Sequence, residues 1–139
     1  MPRLSRTIRL LLLHWIPVAV YMTLVFYFSS RQQLPGGFTL GPYDKAAHFG
    51  QYFVLGLLLG RASRATLPGM PAAAPWILAL FIGMGIGAAD ETLQAFVPGR
   101  YSTMSDFLAD TAGVLAAQAV IHLPRRRHTR ARIAMTEGR

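Results

Sequence analysis

Apolar residues gather in four long blocks along this chain, separated by short segments rich in Pro, Gly and charge. The blocks run from about Leu10 to Phe28, from about Ala46 to Gly60, from about Trp76 to Phe96, and from about Met104 to Leu123. A bilayer core of ~30 Å requires about 20 helical residues, within a range of about 17–25. The first, third and fourth blocks reach that length. The second is short, but Asp44 and Arg61 at its ends can reach the interfaces and extend it.

The separators carry turn signals. Arg31 to Tyr43 reads RQQLPGGFTLGPY, Leu67 to Pro75 holds three Pro and one Gly, and Val97-Pro98-Gly99-Arg100 forms a tight turn. The pattern predicts an all-α integral membrane bundle of four transmembrane helices over residues 1–123, followed by a basic tail over 124–139. The first block has the basic start of a signal peptide in Arg3, Arg6 and Arg9. Its apolar stretch is too long for one, however, and Phe28-Ser29-Ser30 is not an A-x-A-like cleavage site, so it reads as a retained helix. Pro17 is expected to kink it.

Composition agrees with the pattern. Only 14% of residues are charged while 53% are hydrophobic, against roughly 25% charged in soluble domains. The absence of cysteine excludes disulfides and thiolate metal sites. The net charge of +8 is concentrated unevenly. With the N-terminus in the cytoplasm, 11 of the 14 basic residues fall inside; only Arg31, Lys45 and Arg100 fall outside. The positive-inside bias therefore predicts that both termini are cytoplasmic. The arginines of the tail then serve an anionic leaflet, and nucleic acid is not the expected partner.

Five of the six acidic residues fall at the other face. In this topology Asp44 opens the second helix, Asp90 and Glu91 lie near the end of the third, and Asp106 and Asp110 lie in the first turns of the fourth, all toward the outside. Asp44, His48, Gln51 and Tyr52 form one helical stripe; Asp90 and Gln94 form another; Asp106, Asp110 and Gly113 form a third. Ser102, Thr103 and Ser105 bring hydroxyls to the start of the fourth helix, where one could cap it. A charge at a membrane-helix centre costs about 2.5–3.5 kcal/mol on insertion scales, so these groups should face one another or a wet cavity. They form either a salt-bridged network pinning helix ends or an outward-facing pocket. Five carboxyls against the two cations Lys45 and Arg100 favour the pocket. That excess implies a carboxyl held protonated, a bound metal or a cationic ligand. The small-residue repeats Gly56-xxx-Gly60, Gly83-xxx-Gly87 and Ala109-xxx-Gly113-xxx-Ala117 read as helix-packing faces. Trp15 reads as an interface anchor, and the first helix as a structural element that adds almost nothing to the polar cluster.

The run Asp44-Lys45-Ala46-Ala47-His48, followed by Tyr52 and Leu55-Gly56, resembles the first signature of the VanZ-like family. The run Asp90-Glu91-Thr92-Leu93-Gln94-Ala95-Phe96, then Pro98-Gly99-Arg100, Ser105-Asp106 and Gly113, resembles the second, and the Phe28-Ser29-Ser30 exit also fits. The resemblance covers roughly residues 15–123. The family commonly has Asn four residues after the fourth-helix Asp; here that position is Asp110, which adds a negative charge. The resemblance implies a multi-pass protein of the bacterial cytoplasmic membrane. It also implies cell-envelope work, since the family is named for an accessory protein of glycopeptide resistance linked to teicoplanin. It supplies no reaction and no cofactor.

Three functions are consistent with these residues. One is binding of an envelope lipid or glycopeptide at the outer pocket through Lys45, Tyr52, Asp90, Gln94, Arg100, Ser105 and Asp110. A second is an intramembrane enzyme acting on a lipid-linked head group: His48 would be general base, Asp44 or Asp106 would orient it or hold a metal, Glu91 would assist, and Lys45 and Arg100 would hold phosphate. No zinc-protease, serine-hydrolase or P-loop motif accompanies them. The third, an ion-coupled transporter, would need a dimer and lacks charged residues in the inner halves of the helices.

Overall fold

The computed structural model describes residues 4–31, 43–100 and 102–122, so most of the first loop and the basic tail lie outside the described residues. Among the described residues every regular element is helical. Helix α1 spans Arg6–Ser29, α2 Asp44–Thr66, α3 Ala73–Ala95 and α4 Met104–His122. Four helices appear where four apolar blocks predict them. Helices α1 and α2 extend past their blocks at both ends and α3 begins ahead of its block, because Arg, Ser and Ala there, as in Arg61-Ala62-Ser63-Arg64, are compatible with helix; α4 keeps to its block.

Three of the four, α1, α3 and α4, are long and apolar enough to cross a membrane. At 23 residues α2 is about 34 Å long, enough by length, but it falls short in hydropathy. Its position accounts for this. It packs against all three other helices and buries Tyr52, Leu55, Gly56, Leu59, Gly60, Ala62 and Ser63, so little of it needs to be lipid-compatible. The apolar faces of the others point away from the bundle, with Val20, Phe81 and Leu108 among the most exposed.

The contact between α2 and α4 is the closest in the fold. A Cβ added at Gly113 would press on the backbone of α2: on the Phe49 carbonyl oxygen, on the Phe53 nitrogen at 2.8 Å and on the Tyr52 carbonyl carbon at 3.1 Å. One at Gly56 would meet the Ala117 Cβ at 2.7 Å. Helices this near bring backbone polar groups within reach, and the buried Gln118 amide donates to the Gly56 carbonyl at 2.8 Å. On α3, Gly83 receives the Val114 side chain.

Helix α1 joins the bundle through Val18, Val25, a hydrogen bond from Gln94 to Ser29 at its end, and two more along its length. Trp15 Nε1 donates to Thr66 Oγ1 at 3.0 Å, and the Tyr21 hydroxyl donates to the Gln51 carbonyl at 3.1 Å. Trp15 therefore ties α1 to the end of α2. The kink expected at Pro17 takes the form of a widened π-helical turn over Leu11–Trp15, closed by Ile16 N–H donating to Leu11 O. Pro17 has no N–H and its ring crowds the carbonyl four residues back, and the wide turn relieves that clash.

The α3–α4 turn closes with Arg100 N–H donating to the Val97 carbonyl at 3.1 Å; Pro98 and Gly99 occupy its centre, with Gly99 at φ +80°. The α2–α3 connection uses the same device: Met70 N–H reaches the Leu67 carbonyl at 3.4 Å, with Gly69 at φ +80°. Proline then glycine at the two central positions, with a left-handed glycine, is the pattern of a type II turn. Thr103 caps α4 by accepting from Asp106 N–H at 3.3 Å. As a result the last turns of α1 and α3 and the first turns of α2 and α4 meet at one end of the bundle.

Candidate functional site

At that end the polar side chains form two tiers. The upper tier begins with Lys45 on the first turn of α2. Its Nζ is largely exposed and donates to Ser105 Oγ at 2.7 Å and Asp106 Oδ1 at 2.8 Å, while Thr103 donates to the other oxygen of Asp106. Asp106 is therefore fully engaged as a clasp between α2 and α4. Asp44, half-buried, opens α2, where a carboxylate complements the helix dipole. Among the described residues it makes no hydrogen bond.

The lower tier is buried. His48 Nδ1 lies 2.9 Å from Asp110 Oδ1 and 3.9 Å from Glu91 Oε1, joining α2, α4 and α3. The second oxygen of Glu91 accepts from Ser102 at 2.7 Å. Beside it, Gln94 donates to Asp90 Oδ2 at 3.1 Å and to Ser29 Oγ at 3.4 Å, and accepts from Arg100 at 3.2 Å. Arg100 also donates to the Arg31 carbonyl at 3.4 Å, closing the turn over the end of α1. Tyr52, one helical turn below His48, is fully buried.

This tier is short of hydrogen-bond partners. Four of its buried atoms have none among the described residues: the Tyr52 hydroxyl, Asp90 Oδ1, Glu91 Oε1 and Asp110 Oδ2. Unpaired buried polar atoms cost about 1–3 kcal/mol each and are uncommon in native folds. Four in one tier, three of them on carboxyl groups, fit a site built to receive something; the other five such atoms among the described residues belong to His14, Ser63, Thr111, Gln118 and His122. Gly87 borders the same space, and a Cβ there would come to 3.5 Å from both Asp110 Oδ2 and the Tyr52 ring.

The residues expected from sequence divide accordingly. His48, Glu91, Asp110, Asp90, Gln94 and Tyr52 come together in the buried tier, with Arg100 over its edge; Lys45, Ser105 and Asp106 form the clasp above. His48 is paired with Asp110, on the neighbouring helix, and its hydrogen bond goes to neither Asp44 nor Asp106. Helical spacing places Asp44 on the stripe of His48 but carries no information about which residue of α4 lies opposite. Two contributors were not expected. Ser29 brings α1 into the network, so that helix does add to the cluster. Ser102 engages Glu91 and leaves capping to Thr103. At the opposite end, a groove of ≈ 270 Å³ is lined by Ala72, Ala73, Trp76, Gln118, Ala119 and His122, and no pattern in the sequence pointed to it.

Over residues 2–125 the chain matches the family model described as VanZ/LLP1. No curated protein and no solved structure matches it.

Proposed function

The chain belongs to the VanZ/LLP1 family, and from that premise we propose that it is a multi-pass protein of the bacterial cytoplasmic membrane that binds the head group of a cell-envelope component. In this reading all four helices cross the membrane, both termini are cytoplasmic, and the polar end of the bundle faces outward. The observation that carries it is the buried tier itself. An otherwise apolar bundle gathers His48, Asp90, Glu91 and Asp110 from three helices at one end, which the arginine bias supports as the outer one, and leaves four polar atoms unpaired. Groups so costly to bury suit a ligand that completes their hydrogen bonds. Lys45 and Arg100, at the rim, add positive charge suited to the anionic part of a lipid head group or glycopeptide.

The test is thermal unfolding of the purified chain against a panel of phospholipids, polyprenyl-phosphate lipids and glycopeptides, teicoplanin included. Saturable stabilisation by one class, lost in Glu91→Gln, supports the proposal. A flat response across the panel counts against it.

A second reading is favoured by one contact. The 2.9 Å pairing of His48 with Asp110 is the arrangement of an imidazole oriented by a carboxylate, which suits a general base acting on a lipid-linked head group. Lipid analysis of a deletion strain, complemented with His48→Ala or Glu91→Gln, decides it. If both variants restore the wild-type lipid profile, enzymatic action fails.

A further inference from the structure

We propose that His48, Glu91 and Asp110 form a binding site for a first-row divalent metal ion. The inference concerns the same polar tier as the head-group reading and deepens it by naming an ion the tier holds. One ligand atom from each residue lies within 4.8 Å of the other two, and all three residues are buried. The separations of 2.9 and 3.9 Å from His48 Nδ1 bracket those between donors around an ion with bonds of about 2.0–2.2 Å.

Two further observations point to an ion and not merely to an acidic cluster. Glu91 Oε1 and Asp110 Oδ2 are unpartnered, although Glu91 is only 7% exposed and Asp110 1%. Charge is also unbalanced: Asp90, Glu91 and Asp110 are all buried here, while Lys45 is held by Asp106 in the tier above and Arg100 hydrogen-bonds Gln94. A divalent ion balances that excess and takes up the free lone pairs. An imidazole with two carboxylates suits Zn²⁺ or Mn²⁺ better than Mg²⁺ or Ca²⁺, which prefer all-oxygen sites. Three protein ligands leave a coordination position open, and the Tyr52 hydroxyl and Asp90 Oδ1, both unpaired, belong to the same tier.

The test uses the tag-free full-length chain in detergent, stripped with EDTA and dialysed against Zn²⁺ or Mn²⁺, with bound metal measured by mass spectrometry. One ion per chain is expected, with Mg²⁺ and Ca²⁺ failing to compete. Glu91→Gln and Asp110→Asn should each weaken binding at least about tenfold, while His122→Ala leaves it unchanged. Co²⁺ loading of the wild-type chain gives a check that needs no variant to fold: a visible spectrum of mixed nitrogen and oxygen ligation is expected. No stoichiometric binding, wild-type affinity in both carboxyl variants, or a Co²⁺ spectrum without nitrogen ligation overturns the proposal. A protein that binds head groups but takes up no metal would sink the metal reading alone. Metal binding with no head-group response would sink the other.

Discussion

Replacing Gly113 with alanine should destabilise the bundle out of proportion to one methyl group. The added carbon would lie 2.8 Å from the Phe53 nitrogen and also against the Phe49 carbonyl oxygen, whereas ordinary van der Waals contact begins near 3.4 Å. It is therefore about 0.6 Å too close to atoms that belong to the α2 backbone and cannot rotate away. The helices must separate, and the Gln118 bond to the Gly56 carbonyl stretches with them. Overpacking of this kind costs about 1–3 kcal/mol. Gly85→Ala is the matched control. Gly85 is exposed on α3 with nothing within 4 Å of its added Cβ, so that substitution should be neutral or stabilise by up to about 1 kcal/mol through helix propensity. Reversible unfolding in detergent, followed by circular dichroism, measures both. A Gly113→Ala protein as stable as wild type, or equal costs for the two alanines, would mean that α2 and α4 are not in backbone contact at Gly113.

Other consequences are as direct. The chain has no cysteine, so Pro98→Cys and Met70→Cys, in the turns at opposite ends, can each be probed alone: a membrane-impermeant maleimide should label the first on intact cells and the second only after permeabilisation, and the reverse order contradicts the orientation. Trp15→Phe keeps an aromatic ring but loses the bond to Thr66, and should lower unfolding stability by about 0.5–1.5 kcal/mol; an unchanged stability would mean that α1 is not held there. Lys45→Gln removes a bond made by an exposed ammonium to Asp106, and the midpoint of thermal unfolding should hardly move; a large fall would show that the clasp above the buried tier is structurally essential.

Much of the architecture was legible in the chain because bilayer thickness is a strict ruler. Four apolar blocks became four helices, and both proline-glycine turns lie where their residues require them. The gathering of carboxyls at one end followed from alternating helix direction. The pairings within that cluster were not legible. Spacing assigns residues to a face of their own helix, whereas the partner of His48 depends on how α2 and α4 are rotated and offset. Gly113, one turn from Asp110 and pressed against α2 between Phe49 and Phe53, sets that register. The contribution of Ser29 was missed for a related reason: a single serine at a helix end carries no periodic signal. The shortness of the second apolar block was visible, but its cause, enclosure of α2 by the other three helices, exists only in the packed bundle.

Packing of α2 against α4, with α3 beside them, joins His48 and Asp110 into one buried unit. A double-mutant cycle on unfolding stability tests it most directly, using His48→Gln, Asp110→Asn and the double variant. A coupling energy of about 0.5–3 kcal/mol is expected, as for residues in one hydrogen-bonded network. Additivity of the two single effects, within measurement error, would contradict it.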